Sequence, residues 1–426
     1  MKLIVRKSAL NGPVAIPGSK SHTIRAVAFG SLAEGTSHIH APLVSDDTLS
    51  AVKCYRLLGA EVDTSDTRCW KVIGSAGKIT VPKQTVDVGN SGTTLRIATG
   101  SATLAKPGSV ISFTGDRQTQ ARPMAPLLVA LTNLGARCRS LKNNGTAPIE
   151  VHSGLMGGKT DLHSPTSQFL TSLLMCTPLA PQDSEINVKL LHEPGYVQMT
   201  LDWLDRQGIR YQNRGLSWFK ISGGQRYKAF DQAIPADFSS ATFFLCAAAL
   251  RGGEVVINGL DFSDSQPDKA VVDYLKAMGA QIDGGKDRVT VRRSALKGIE
   301  IDMNATPDAL PAMAVLATFA RGSTRLVNVP QARTKETDRI GCMAEELTRM
   351  GARVEELPDG LIVHESALKA CEVSGRGDHR IVMALSIAAM ALDQPTTIAT
   401  AEAMSVTFPD YVDLMKSLGA TMDLVP

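Results

Sequence analysis

A chain of 426 residues with 43% apolar side chains is long enough to bury two separate cores. A formal charge of only +3, without long basic runs, argues against a nucleic-acid binder. Seven scattered cysteines, an odd number with no C-x-x-C pair, argue against a disulfide framework or a cysteine metal cluster and fit a reducing cytoplasm.

The chain opens on "MKLIVRKSALNG". Three consecutive apolar residues are too few for a signal-peptide core, so the segment reads as a strand. The longest largely apolar run, 241–250, is half a membrane span, and no membrane partner is expected. Next comes "IPGSKSHTIRA", Ile16 to Ala26, with glycine, serine, lysine and serine at the mouth of an apolar helix. A Walker A loop needs a glycine directly before its lysine. Ser19 stands there instead, and Pro17 stiffens the loop, so the nucleotide reading fails at its first requirement.

One phrase then recurs along the chain: "LLGAEVD", "LGARCR", "QGIRYQ", "MGAQID", "MGARVE" and "LGATMD". Its glycines are Gly59, Gly135, Gly208, Gly279, Gly351 and Gly419, 68 to 76 residues apart. Positions −1, −4 and −8 before each tend to be apolar, as in Met278, Leu275 and Val271, which marks one face of an amphipathic helix. The glycine suits a left-handed C-cap, and the alternation after it suits a strand. The third copy is the poorest, with Gln207 and Thr200 on apolar positions. A second helix recurs at the same period, rich in Ala and Leu, with starts near Ser21, Gly92, Ser167, Ser239, Asp308 and His379. Six units of helix, strand, helix, strand predict an internally repeated α/β chain, three units per domain, with a boundary near 229–235. The opening strand is expected to pair with the C-terminal half.

The chemistry-bearing residues gather at the starts of this second helix set. They are Lys20, Ser21 and Arg25; Asn90, Gly92, Thr93 and Arg96; Thr166, Ser167 and Gln168; "ADFSS"; Asp308; and Asp378, His379 and Arg380. Helix starts expose unpaired N–H groups and a positive dipole end, which suit phosphate and carboxylate. "ARPM" adds Arg122, and "TKETDRI" adds Lys335, Glu336 and Arg339, with Lys335 and Arg339 expected four apart on one helical face. A carboxylate among cations can carry a proton where water is excluded. Taken singly, Ser21, Thr166, Ser167 and Asp308 are ordinary N-caps, and Lys335, Glu336 and Arg339 a solvated helix face. His379 read alone is a structural hydrogen-bonder. Random caps, however, would not bring a lysine or arginine with them in three of six units.

With these residues assembled, the chain resembles the 5-enolpyruvylshikimate-3-phosphate synthase family over essentially its full length. "PGSKSHTIRA", "GNSGTTLR", "ARPM", "TSQFLTSLL", "PDA", "KETDRI", "GDHR" and "TFPDY" stand in that family's order. The resemblance implies an α/β (α+β) fold, a two-lobed inside-out α/β barrel of six βαβαββ repeats. One lobe would comprise 1–18 plus 234–426 and the other 19–233, closing over substrates. It implies transfer of the enolpyruvyl group of phosphoenolpyruvate to the 5-hydroxyl of shikimate 3-phosphate in a cytoplasmic monomer, without metal or organic cofactor. Lys20 would touch both substrates. Ser21, Arg25, Ser167, Gln168 and Tyr196 would hold shikimate 3-phosphate, joined by Lys335. Arg122, Arg339 and Arg380 would hold phosphoenolpyruvate, with Gly92 letting the backbone approach it; Asn90, Thr93 and Thr166 would be further substrate contacts, and Asp308 and Glu336 would carry protons. Glyphosate would be an inhibitor, with Gly92 leaving it space and Ile97 weakening its hold.

Some positions depart from the best-known branch of that family. Glu193 stands for a phosphate-binding serine and Val406 for a lysine that contacts phosphoenolpyruvate; neither is carried over as a site residue. Thr166, Gln331 and Ile97 stand for serine, asparagine and proline. The related transferase acting on UDP-N-acetylglucosamine would require "KN" at Lys20-Ser21 and a cysteine in the loop before Arg122, and "TGDRQTQARP" has none. RNA 3′-phosphate cyclases would require a nucleotide-accepting histidine. A non-catalytic anion-binding homologue would not need Lys20, Asp308 and Glu336.

Overall fold

A computed structural model describes all 426 residues, and the chain divides into two compact units, Met1–Pro17 with Pro235–Pro426, and Gly18–Ile234. Each unit holds three four-stranded sheets of one topology. In the sheet of Gly158–Ser164, Ser184–Leu191, Tyr211–Arg214 and Trp218–Ile221, the first two strands are parallel and the last three antiparallel neighbours. One helix, Ser167–Cys176, links the parallel pair, and a second, Pro194–Arg206, leads to the closing hairpin. This is a βαβαββ unit, the parallel pair needing a helical crossover and the antiparallel pair only a turn.

The two kinds of helix differ in burial for a reason legible in their composition. Lys20–Leu32, Gly92–Ala102 and Ser167–Cys176 are buried almost throughout, as are Phe238–Arg251, Leu310–Thr318 and His379–Ala389 in the other unit. Small residues (Ala, Gly, Ser and Thr) alternate in them with large apolar ones, and few charges interrupt either, so they can pack on every side. The second set is amphipathic, one face on the core and one in solvent. Helices lie inside and sheets outside, and each unit has its own apolar core.

The six repeat glycines all adopt positive φ, from 67° at Gly208 to 107° at Gly59 and Gly135, and each ends an amphipathic helix. That backbone costs glycine no Cβ clash, which explains why the phrase recurs. The polar residues of the third copy have partners: Thr200 Oγ1 accepts from Arg25 Nε at 3.0 Å, and Gln207 Oε1 from the Lys228 amide at 2.8 Å.

Three strands depart from chain order. Lys2–Arg6 lies antiparallel between Thr396–Ala399 and Thr421–Val425. Leu10–Ala15 pairs parallel with Gly252–Asn258, while Asp231–Ala233 supplies the equivalent strand beside Thr36–His40. The opening segment thus forms two strands rather than one. No helix is long and apolar enough to cross a membrane.

Candidate active site

In the unit Gly18–Ile234, the three central helices begin on the predicted residues. Ser19 caps the first helix, its Oγ accepting from the His22 amide at 3.5 Å, and Ser91 caps the second, accepting from the Thr94 amide at 3.4 Å. Ser21 therefore lies inside the first turn and is not the N-cap. Thr166 occupies the N-cap position of the third helix, and Ser167 is its first helical residue.

Lys20 Nζ lies 3.0 Å from Asp47 Oδ2, and both side chains are largely buried. Asp47, at the start of the helix Asp46–Leu57, was not singled out by sequence reasoning; its signal is the "SDD" run, which resembles many capped helix starts. Arg25, one turn after Ser21, is buried. Its guanidinium donates to Thr200 Oγ1, the Ser21 carbonyl, Thr171 Oγ1 and the Tyr196 carbonyl at 2.9–3.4 Å, tying two central helices to the helix that carries Tyr196. Burial pulls its pKa down to about 10, which leaves it charged at neutral pH.

The second and third helix starts are joined by side chains. Gln168 donates to Thr93 Oγ1 at 3.0 Å and accepts from Arg96 Nη1 at 2.5 Å, and Arg96 stacks over the Phe169 ring at 5.4 Å. Asn90 donates to Asp116 at 2.7 Å and Gln118 at 2.6 Å. The buried Arg122 runs past Gly92, where an added Cβ would fall 2.5 Å from Nη1. Five predicted residues, Gly92, Thr93, Arg122, Ser167 and Gln168, therefore form one neighbourhood. Glu193, 1% exposed, enters the same neighbourhood: its Oε2 accepts from Ser167 Oγ at 2.7 Å and from the Ser167 amide at 3.1 Å.

The other unit gathers a second cluster around Arg339, which is 1% exposed. Its Nε donates to Asp378 Oδ2 at 2.8 Å, Nη1 to Asp308 Oδ1 at 2.7 Å and Nη2 to Glu336 Oε2 at 2.5 Å. Arg380 Nη2 reaches the other Asp308 oxygen at 2.9 Å. Burial alone would lower the Arg339 pKa, but Asp378, Glu336 and Asp308 together outweigh it and push it up. Asp378 also caps the helix His379–Ala389 through the Arg380 amide. Desolvation pulls His379 down to about 4 despite that carboxylate, so its imidazole is neutral at pH 7.

The expected helical face shared by Lys335 and Arg339 does not form. Asp338 caps a helix that begins at Arg339, and Lys335 ends the 3₁₀ turn Pro330–Thr334. The Asp338 carboxylate binds the Gly341 amide and Arg333 Nη1, which fixes the boundary there. Asp308 lies likewise in a short 3₁₀ turn, Pro307–Ala309, ahead of its helix. Val406 closes another, Ala401–Val406. Among the described residues no group of His, Cys, Asp and Glu could hold a metal, and all seven cysteines are free thiols.

Each cluster presents arginines or a lysine with carboxylates at buried helix starts, suited to anionic substrates and proton movement. Comparison with known proteins agrees with that chemistry. A family model described as EPSP synthase (3-phosphoshikimate 1-carboxyvinyltransferase) matches residues 4–415. A 3-phosphoshikimate 1-carboxyvinyltransferase of Acetivibrio thermocellus is 53% identical over 420 residues, 99% of each chain. One from Ruminiclostridium cellulolyticum is 48% identical over the full length of both. The solved EPSP synthase of Acinetobacter baumannii superposes with a TM-score of 0.83 at 26% identity, covering 100% of both chains. The enolpyruvyl transferase NikO from Streptomyces tendae, at 19% identity and a TM-score of 0.78, shares the fold. Repeat architecture, charged helix starts and full-length relatives converge, and the chain belongs to the EPSP synthase (3-phosphoshikimate 1-carboxyvinyltransferase) family.

Proposed function

We infer that this chain transfers the enolpyruvyl group of phosphoenolpyruvate to the 5-hydroxyl of shikimate 3-phosphate, giving 5-enolpyruvylshikimate 3-phosphate and phosphate. The product lies on the shikimate route to chorismate and the aromatic amino acids. Whole-length membership of the family carries this reading. In the reaction the 5-hydroxyl oxygen gives up its proton and bonds to C2 of phosphoenolpyruvate as C3 gains a proton; the C2–O bond to phosphate then breaks as C3 loses one. Two phosphates and two carboxylates repel one another in a site of low dielectric, so cations must converge on them.

In this proposal Lys20 meets charge on both substrates. Ser21, Arg25, Thr166, Ser167, Gln168, Tyr196 and Lys335 hold shikimate 3-phosphate, and Arg122, Arg339 and Arg380 hold phosphoenolpyruvate beside Asn90, Gly92 and Thr93. Arginine suits planar bidentate contacts with such groups. Asp308 and Glu336 carry the protons; their sharing of the Arg339 guanidinium supports a joint role. No metal or organic cofactor is required. Glyphosate as an inhibitor, a cytoplasmic location and a monomeric working unit belong to the same proposal.

Phosphate release in a coupled assay is expected only when shikimate 3-phosphate and phosphoenolpyruvate are both present. Turnover with UDP-N-acetylglucosamine in place of shikimate 3-phosphate would overturn the reading.

A further inference from the structure

An internal anion already sits at the start of the helix Ser167–Cys176. Glu193 Oε2 accepts from Ser167 Oγ at 2.7 Å, from the Ser167 amide at 3.1 Å and from Thr166 Oγ1 at 3.4 Å. The residue is 1% exposed. Its backbone is left-handed, φ 61° and ψ 49°, uncommon for a residue with a side chain, and the helix Pro194–Arg206 begins directly after it. Three donors converging on one carboxylate oxygen is how a helix start receives an anion.

We propose that the Glu193 carboxylate is an internal competitor for the phosphate of shikimate 3-phosphate at Thr166 and Ser167, and so sets this chain's affinity for that substrate. The inference rests on the assignment of those two residues to shikimate 3-phosphate under Proposed function. The exclusion is atomic. A hydroxyl and an amide N–H have one hydrogen each, so Ser167 cannot donate fully to a carboxylate and a phosphate oxygen at once. The two anions also repel at this range in a buried setting. Phosphate must therefore displace Glu193 from Ser167, and the energy of that displacement is subtracted from binding.

Glu193→Gln keeps shape and an acceptor oxygen but removes the charge. Its KM for shikimate 3-phosphate is expected to fall about tenfold or more, with the KM for phosphoenolpyruvate unchanged. Calorimetry should show the same gain for shikimate 3-phosphate and none for shikimate, which lacks the phosphate. Unchanged or weaker binding, with or without a lower melting temperature, would make Glu193 a structural cap and overturn the proposal. Should the glutamine variant not fold, Glu193→Ser is read by the same two measurements. A crystal of the wild-type protein with shikimate 3-phosphate gives an independent reading. Glu193 is expected to have left Ser167, and its retention there beside a bound ligand would refute the competition. Failure of the assigned reaction would be distinct, since the wild-type enzyme would then show no turnover at all.

Discussion

Asp378, with no exposed surface, takes Nε of Arg339 at 2.8 Å while its other oxygen accepts the Arg380 amide at 2.9 Å. One carboxylate thereby fixes the side chain of one arginine and the backbone of the other. Asp378→Asn should keep the cap but leave Arg339 a weaker partner. We expect kcat/KM to fall about tenfold or more, chiefly through phosphoenolpyruvate, with a fold that survives. Arg339→Ala is the harsher change. It strands Asp378 without its buried counter-charge and should cost about 3–5 kcal/mol in denaturant unfolding.

Lys20 faces Asp47 at 3.0 Å in a largely buried pair. If the lysine meets charge that develops in the transition state, Lys20→Ala loses about 10²-fold or more in kcat. Asp47→Asn leaves the lysine in place but unanchored, and a smaller loss, about tenfold, is expected. Steady-state kinetics on both variants distinguish the roles, since equal losses would make Asp47 as necessary as the lysine itself.

Gly92 bears on Arg122 directly. A Cβ there would stand 2.5 Å from Nη1, closer than any relaxed contact, so Gly92→Ala must shift the guanidinium. The KM for phosphoenolpyruvate should rise several-fold, with the KM for shikimate 3-phosphate little changed. A glyphosate dose–response curve on the same variant should move to higher concentration, because the inhibitor is expected to use the same space.

His379 contributes a pH dependence to stability. Burial lowers its pKa from 6.5 to about 4, so between these values the unfolded chain binds the proton and the folded chain does not. Stability therefore falls as pH drops from 6.5 towards 4, by up to about 3 kcal/mol from this residue. Urea midpoints across that range should decline less steeply in His379→Gln; parallel curves would remove His379 as a source.

The repeat, the amphipathic helices and the helix starts were legible in the sequence because they obey local rules. Gly59, Gly135 and their four counterparts mark positions where only a residue without a Cβ turns cheaply, and Met278, Leu275 and Val271 share a face through helical periodicity alone. Serines and aspartates at helix mouths follow from unpaired backbone N–H groups. What tertiary structure decided is non-local. Leu10–Ala15 and Asp231–Ala233 serve sheets distant in sequence, since any parallel strand of fitting pattern can pair there. Lys335 left the helix because the caps and ion pairs of Asp338 moved the start to Arg339. Glu193 at Ser167, Asp47 at Lys20 and three carboxylates on Arg339 depend on side chains meeting from separate elements. Periodicity carries no record of such meetings, whereas burial makes each of them decisive, because an ion without water must find its partner inside the protein.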